Sequence, residues 1–165
     1  MDVDIREASP GDAEAMVRIL NPIIESGRYS ALTSPLTLQA EQAFIESFPE
    51  RGILHVAVSK GDERVVGFQN VAPFSPYPAF SHVGEIGTFV DLTLLRNGIA
   101  QQLFRATFDV ARRRGYEKFF TYVRADNPGA LSAYLSQGFR VVGTAERHVR
   151  VGETYIDEVM IEKWL

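Results

Sequence analysis

Hydrophobic and polar residues follow two periods along the chain, and these periods divide it into strands and helices. Short runs that alternate or are wholly apolar, such as ILHVAVS at 53–59, are typical of strands, whereas apolar residues three and four positions apart indicate amphipathic helices. The clearest stripe joins Ile99, Leu103, Ala106 and Val110. The predicted strands are 3–8, 53–59, 64–73, 82–92, 116–123 and two more in a terminal hairpin around Gly152, and the predicted helices are 10–26, 38–49, 97–114 and a short one closing at Gly138.

Turn residues support these boundaries and give the order of the elements. Pro10 follows a capping serine, Asn127-Pro128 is typical of a helix start, and Gly115 suits a left-handed helix end. The order βααβββαβαββ mixes hairpins with crossover helices. It predicts an α/β (α+β) fold in which a mixed central sheet of about seven strands carries helices on both faces. The 165 residues suit a single domain, 1–165.

Composition and charge exclude several functional classes. The chain has 45% hydrophobic residues, a net charge of -4 and no cysteine. The charge disfavours nucleic acid as a partner, and the missing cysteines exclude disulfides, thiolate metal sites and a cysteine nucleophile. No histidine and carboxylate cluster has metal-ligand spacing, so no metal is expected. The acidic start MDVDIREASPGD does not resemble a signal peptide and no apolar run is long enough for a membrane span, so we expect a cytoplasmic protein.

The stretch LLRNGIAQQLF at 94–104 is the first candidate for chemistry. It leads from a β-rich region into the most regular helix, and Gly98 and Ala100 lie where that helix begins. Unpaired first-turn amides and the helix dipole favour an anion there, and small residues let a phosphate approach the backbone. Ordinary turn chemistry is the alternative explanation. The chain has neither a phosphate-loop lysine-serine pair nor a Gly-x-Gly-x-x-Gly run, so nucleotide triphosphates and dinucleotides lack their signatures.

Two motifs together resemble the acyl-coenzyme A site of the GNAT N-acetyltransferases. The first is VDLTLLRNGIA, and the second, about thirty residues later, is NPGALSAYLSQGF. The order of strands and helices is also similar to that family over the whole chain. The family carries Gln/Arg-x-x-Gly-x-Gly/Ala in the first motif, where this chain has Leu95, Gly98 and Ala100. Leu95 departs from the pattern, but Arg96 beside it can supply charge to a phosphate.

The resemblance implies that acetyl-coenzyme A is the cosubstrate and that backbone amides hold its diphosphate. It also implies that the strand ending near Val90 diverges from 116–123, so that the amides of Phe89 and Val90 face the thioester carbonyl as an oxyanion site. The alternative is that 88–92 is a fully paired core strand. Besides Phe89 and Val90, the predicted coenzyme-binding residues are Arg96, Asn97, Gly98, Ile99, Ala100, Gln101 and Asn127.

Acetylation of an amine needs a proton acceptor and a proton donor. A lysine-like amine with a pKa of about 10.4 is neutral only to the order of 0.1% at pH 7. Tyr134 occupies the position of the family's general acid. The alternative interpretation is that Tyr134 is only a core aromatic at helical spacing. Glu85 is the predicted base because burial in an apolar strand raises a carboxyl pKa. Its alternative is an edge carboxylate paired with an arginine.

The position of Glu85 on its strand sets the geometry of the predicted site. Glu85, Gly87 and Phe89 share one strand face, where the glycine leaves room for a substrate. The distance from Glu85 to Phe89 is about 13 Å, so a water relay or a bulge has to connect them. His82 is the second candidate for the base, while His55 and His148 are expected to be structural or exposed.

Three further segments are similar to the phosphinothricin-type branch of the family. These are IREASPGDAEAMVRILNPIIESG, GEIGTFV and YIDEVM, whereas GRYSALTSPLT departs from the branch. The branch implies small amino acids, or their phosphinic and sulfoximine analogues, as acceptors, with a glutamate at the position of Glu85 as the proposed base. Arg28, Tyr29, Phe74 and Tyr77 lie in two loops that are predicted to cover the acceptor site, where an arginine could hold a carboxylate. A dimer contact is the alternative for these aromatics, and a homodimer is expected.

These observations favour an acetyl-coenzyme A-dependent N-acetyltransferase that acts on the primary amine of a small molecule. Without a cysteine for an acyl-enzyme, transfer is expected to be direct within a ternary complex. Two alternatives stay open. The acceptor could be a protein or peptide amine, or the chain could be a catalytically silent regulatory domain that binds coenzyme A.

Overall fold

The strands and helices of the protein follow the predicted order. The computed structural model describes residues 1–165. The strands are β1 (Val3–Glu7), β2 (Ile53–Ser59), β3 (Val65–Pro73), β4 (Val83–Val90), β5 (Lys118–Arg124), β6 (Arg140–Val151) and β7 (Thr154–Trp164). The helices are α1 (Ala13–Glu25), α2 (Leu38–Glu46), α3 (Ile99–Arg113) and α4 (Pro128–Ser136).

One mixed sheet contains all seven strands, in the order β1-β2-β3-β4-β5-β7-β6. Only β4 and β5 pair in parallel, and they pair over just three residues each, Val83–Glu85 with Lys118–Phe120. Beyond these residues β4 continues to Val90 and β5 to Arg124 without pairing to each other. The divergence expected from the sequence is therefore present, and the alternative of a fully paired core strand is wrong.

Helices cover both faces of the sheet, as predicted. On one face, which we call the acceptor face, the apolar side of α1 packs against Leu54, Val56 and Phe68. On the opposite face, Phe104 of α3 and Tyr134 of α4 pack against Ile53 and other residues of the central strands. None of the four helices combines the length and the apolar composition that crossing a membrane requires.

Several element ends differ from the sequence prediction for local reasons. The predicted helix 38–49 ends at Glu46, and the Ser47 hydroxyl donates to the Ala43 carbonyl at 2.7 Å before Pro49. The predicted helix 97–114 starts at Ile99 because Gly98 has a φ of 75°, outside the helical region. In the predicted helix 10–26, residues Pro10–Asp12 form a 3₁₀ turn before α1.

Candidate active site

A large cleft lies where β4 and β5 diverge. Its volume is about 1470 Å³, and its walls come from β4, β5, the starts of α3 and α4, and α2 with the loop before it. Pockets for a single small ligand usually have volumes of about 300–1,000 Å³. The cleft is therefore large enough for two ligands that meet inside it.

The start of α3 leaves backbone amides without acceptors at one end of the cleft. Gly98 adopts the left-handed conformation at the N-cap and, as a glycine, has no side chain that could cap the helix. The amides of Ile99, Ala100 and Gln101 have no acceptor among the hydrogen bonds of the chain. Free amides at the positive end of a helix dipole are what a diphosphate needs. These residues therefore fit the coenzyme that the sequence predicted for them.

The loop before α3 is shaped by Asn97 and bordered by Arg96. The Asn97 side-chain amide donates to the Leu94 carbonyl at 3.2 Å. The backbone carbonyl of Asn97 accepts a hydrogen bond from the Met1 ammonium at 2.8 Å. Asn97 thus holds the loop in shape with both its side chain and its backbone. Arg96 is exposed at the cleft with a φ of 65°, where its guanidinium is available to a phosphate.

The amides of β4 alternate between its two edges. Just after β4, the Asp91 amide donates a hydrogen bond to the carbonyl of Val66 in β3 at 3.0 Å. Because strand amides alternate in direction, the Phe89 amide also faces β3, whereas the Val90 amide faces the divergence and has no strand partner there. The expectation that both amides face a thioester is therefore corrected for Phe89. Its ring instead stacks on Phe68 with centroids 4.9 Å apart.

Tyr134 lies in the cleft wall on the face covered by α3 and α4. Asn127 caps α4 by accepting the Ala130 amide at 3.1 Å, which fixes the helix that carries Tyr134. The Tyr134 hydroxyl donates to Thr88 Oγ1 at 3.2 Å, and its ring packs on Phe104 and Phe139. Burial raises the pKa of Tyr134 to about 12. The phenol therefore keeps its proton at neutral pH, so Tyr134 can be both a core aromatic and a proton donor.

Glu85 lies on the opposite, acceptor face of the sheet, where its side chain is exposed to the open cleft and is not buried as the sequence predicted. No ion pair of the chain includes Glu85, so the alternative of an arginine-bound carboxylate is wrong. Partial desolvation by the surrounding cleft walls raises the pKa of Glu85, and the negative charge of Glu158 raises it further. A carboxylate with a raised pKa is a better proton acceptor near neutral pH.

Glu158 of β7 is a cleft residue that sequence reasoning missed. Burial raises its pKa too, while His148 and Arg124 act in the opposite direction. The signal was an acid that shares its strand face with Ile156 and Met160 in YIDEVM, similar to the signal that identified Glu85. Only the strand order shows that the two carboxyls face the same cleft.

Gly87 makes room for the side chain of Asn70 and not for open space. The two residues are cross-strand partners, and a Cβ at position 87 would lie 2.5 Å from Asn70 Oδ1. This oxygen is enclosed and has no hydrogen-bond partner in the protein. The Asn70 carboxamide therefore lies on the strand face between Glu85 and Phe89 and borders the cleft within the gap of about 13 Å.

The segment 26–37, which we call the roof loop, covers the acceptor side of the cleft and brings Arg28 and Tyr29 to its wall. The Arg124 guanidinium donates to the Ser30 carbonyl at 2.9 Å and also binds both carboxylate oxygens of Asp126. At the end of the loop, the Asn21 side chain accepts the Leu36 amide at 2.8 Å. Because the Arg124 guanidinium is already hydrogen-bonded to Asp126 and to the roof loop, Arg28 is the arginine of this wall that is available to bind a ligand anion.

Phe74 and Tyr77 do not line the cleft, contrary to expectation. The segment 74–82 precedes β4 and therefore lies at the end where β4 and β5 are paired, away from their divergence. Phe74 packs against Phe80 and Phe120, with centroid distances of 5.7 and 5.3 Å. The Tyr77 side chain is 69% exposed.

The histidines are also outside the cleft lining. His82 stacks on Trp164 at 6.5 Å, and His148 stacks on Tyr122 at 5.8 Å. His55 is buried and hydrogen-bonded to Thr107 Oγ1 at 2.9 Å, and burial lowers its pKa. The placement of His82 favours Glu85 as the base. The structure contains no group of three or more histidine, aspartate or glutamate side chains that could hold a metal ion.

Comparison with known proteins gives this site its class. The Acetyltransferase (GNAT) family matches residues 16–139, so the chain belongs to the GNAT acetyltransferase family, whose cosubstrate is acetyl-coenzyme A. Over 164 residues the chain is 22% identical to phosphinothricin N-acetyltransferase of Streptomyces coelicolor, and the match covers 98% of this chain and 96% of that protein.

A second relative and a solved structure extend the comparison. The L-methionine sulfoximine/L-methionine sulfone acetyltransferase of Pseudomonas aeruginosa is 21% identical over 143 residues, which cover 87% of this chain and 83% of that protein. The crystal structure of a phosphinothricin acetyltransferase from Sinorhizobium meliloti in complex with acetyl-coenzyme A superposes with a TM-score of 0.92 at 14% identity, covering 100% of this chain and 89% of that one. The last comparison supports the fold.

If the free amides at the start of α3 hold the diphosphate, Gln101→Glu has a selective effect on coenzyme binding. The change is isosteric, and an acid in the first helical turn suits the helix dipole, so the free protein should be as stable as the parent. The added charge should repel the diphosphate and raise the Kd of acetyl-coenzyme A about tenfold, with a larger effect at low salt. Titration calorimetry measures the Kd. Gln39→Glu, an equal change in the exposed first turn of α2, is the control, and equal Kd values for the two variants would contradict the assignment.

Proposed function

We propose that the protein transfers the acetyl group of acetyl-coenzyme A to the primary amine of a small molecule, namely an amino acid or an analogue such as phosphinothricin or methionine sulfoximine. The observation that carries this proposal is the arrangement along the β4–β5 divergence. Unpaired helix amides lie at one end, and an unpaired carboxyl, Glu85, lies on the acceptor face. The relatives with such acceptors match this chain over most of its length.

The coenzyme fits the residues at the start of α3 and along β4. When bound, it supplies an acetyl thioester with an electrophilic carbonyl carbon. We assign the diphosphate to the amides of Ile99, Ala100 and Gln101, with charge from Arg96. We assign the Val90 amide to the carbonyl oxygen, since this amide faces the divergence and has no strand partner.

Glu85 is the proposed base. It accepts the proton that the acceptor amine loses, and its raised pKa suits this task. The Asn70 carboxamide lies between Glu85 and the segment that faces the thioester, so we assign it to a bridging water or to the amine itself. The relay expected from the strand spacing thus has a specific polar group available to hold it.

Tyr134 is the proposed acid, which gives its hydroxyl proton to the departing thiolate. Its pKa of about 12 ensures that the proton is present at neutral pH. Thr88 holds the hydroxyl in place through the hydrogen bond described above. Base and acid thus lie on opposite faces of the sheet, and the gap between β4 and β5 connects them.

The roof loop supports a small acceptor over a peptide. Arg124 ties the loop to the end of β5, so the acceptor side is covered and a long chain has less room to leave the cleft. Arg28 and Tyr29 are the residues that we assign to the acceptor. Because Phe74 and Tyr77 lie outside the cleft and Tyr77 is well exposed, we propose that their segment contributes to the expected homodimer. The cytoplasmic location stays a prediction from the sequence.

A panel of amines tests the proposed function. Thiol release from acetyl-coenzyme A is measured with amino acids, phosphinothricin, methionine sulfoximine and peptides, and we expect turnover with small amines only. Glu85→Gln and Tyr134→Phe should each lower kcat/KM, the former by about 10²–10⁴-fold. Turnover of peptides but not small amines would reject the acceptor class. Tight binding of acetyl-coenzyme A without any turnover would show a silent regulatory domain, and unchanged rates in both variants would refute the assigned roles.

The Glu85–Glu158 pair predicts a shift in the pH profile. The charge of Glu158 raises the pKa of Glu85, so Glu158→Gln should lower that pKa. The acidic limb of kcat/KM should therefore move to lower pH. Glu153→Gln, at an exposed turn residue, is the control for the loss of one carboxylate. A limb that stays in place, or moves to higher pH, would contradict electrostatic coupling of the two carboxyls.

A further inference from the structure

Glu41 is a buried carboxyl that the proposed chemistry does not use. It lies in the first turn of α2, is only 3% exposed, and is the only buried residue of that helix. Amphipathic helices normally turn apolar side chains inward. Here the inward position holds a glutamate instead.

Glu41 differs from the other buried charged side chains of the protein, because each of those has a partner. Asp12 pairs with Arg6, Arg124 pairs with Asp126, and Glu162 pairs with Lys118 and Arg140. Glu41 takes part in no ion pair, and its Oε1 is enclosed without a hydrogen-bond partner. Burial accordingly raises the pKa of Glu41, and no neighbouring charge opposes that rise.

An unpaired buried carboxyl weakens the folded state, so stability of the fold does not explain why a glutamate occupies position 41. Glu41 borders the cleft on the acceptor face, beside the roof loop. The other residues that α1 and α2 bring to this wall are Leu20, Ile23, Ala40 and Phe44, which are apolar. A ligand that reaches this wall therefore finds one acceptor of hydrogen bonds in apolar surroundings.

The charges of the acceptor face indicate what that ligand carries. Glu85 and Glu158 open into the same cleft, and the positive charge of Arg124 is already bound to Asp126. Arg28 is the one cation of this wall left for an anionic group of the ligand, such as a carboxylate, so the carboxyls outnumber the free cations. A carboxylate that leaves water gains most from a cation that pairs with it, since the pair compensates for the lost hydration of both groups.

We propose that Glu41 binds a second cationic nitrogen of the acceptor, so that the preferred substrates are diamines or basic amino acids and only one of their amines reacts. This inference rests on the proposed function and narrows its substrate class. The reacting amine lies at Glu85 and Asn70, while the second nitrogen lies at the wall formed by α2.

Matched acceptor pairs test the inference. The kcat/KM values of 1,4-diaminobutane and L-ornithine are compared with those of n-butylamine and L-norvaline, which lack the second nitrogen. We expect the dibasic member of each pair to be favoured by about tenfold or more in the parent. In Glu41→Gln this ratio should fall towards one. In Glu46→Gln, an exposed carboxylate on the same helix, the ratio should be retained.

A ratio near one in the parent, or a ratio that Glu41→Gln leaves unchanged, would overturn the proposal. If no amine is acetylated at all, the proposed function fails, and thermal shift then decides the role of Glu41 by itself. Millimolar 1,4-diaminobutane should raise the Tm of the parent and not that of Glu41→Gln, whereas equal shifts would overturn the site.

The stability of the variant shows that it is folded. Because the folded-state pKa of Glu41 is raised, ionised Glu41 weakens the fold above that pKa and has no such effect below the unfolded value. Glu41→Gln should therefore raise the Tm by about 2–4 °C at neutral pH and by less in acid. A lower Tm at neutral pH would show that Glu41 supports the fold, and would contradict its assignment to a ligand.

Discussion

The short parallel pairing of β4 with β5 is the constraint on which the rest of the site depends. Three residues of each strand pair and hold the sheet together, and the remaining residues diverge. The free edge of β4 and the gap beside it exist only because that pairing stops at Glu85. Continuous pairing would satisfy the Val90 amide and close the gap between the carboxyl on one face and the phenol on the other. The site therefore depends first on the pairing of the sheet and only then on individual side chains.

The cleft has opposite electrostatic character on its two sides. Free amides at the start of α3 and Arg96 favour anions on the coenzyme side. On the acceptor side the carboxyls of Glu41, Glu85 and Glu158 outnumber the one free cation, Arg28, and favour a ligand with a net positive charge. Each arrangement leaves polar groups without partners in the protein, which weakens the fold locally and is typical of sites that await a ligand. The same logic connects the unpaired amides, the enclosed oxygen of Asn70 and the buried carboxyl of Glu41.

The sequence predicts those parts of the site that depend on local spacing. The order of elements, the Gly98 loop, the capped start of α4 and the positions of Glu85 and Tyr134 all follow from short motifs. Asn70, Glu158 and Glu41 were missed because strand register and helix orientation bring them to the cleft from distant segments. Phe74 and Tyr77 were misplaced because periodicity does not tell which end of β4 is paired. The direction of the Phe89 amide depends on that register too.

Amide hydrogen exchange followed by NMR, with and without acetyl-coenzyme A, tests the central claim most directly. If the coenzyme occupies the divergence, exchange should slow at Ile99, Ala100, Gln101 and Val90. The Phe89 amide, already paired towards β3, should change little. Unchanged exchange at Val90 and at the start of α3, in protein saturated with the coenzyme, would contradict the account.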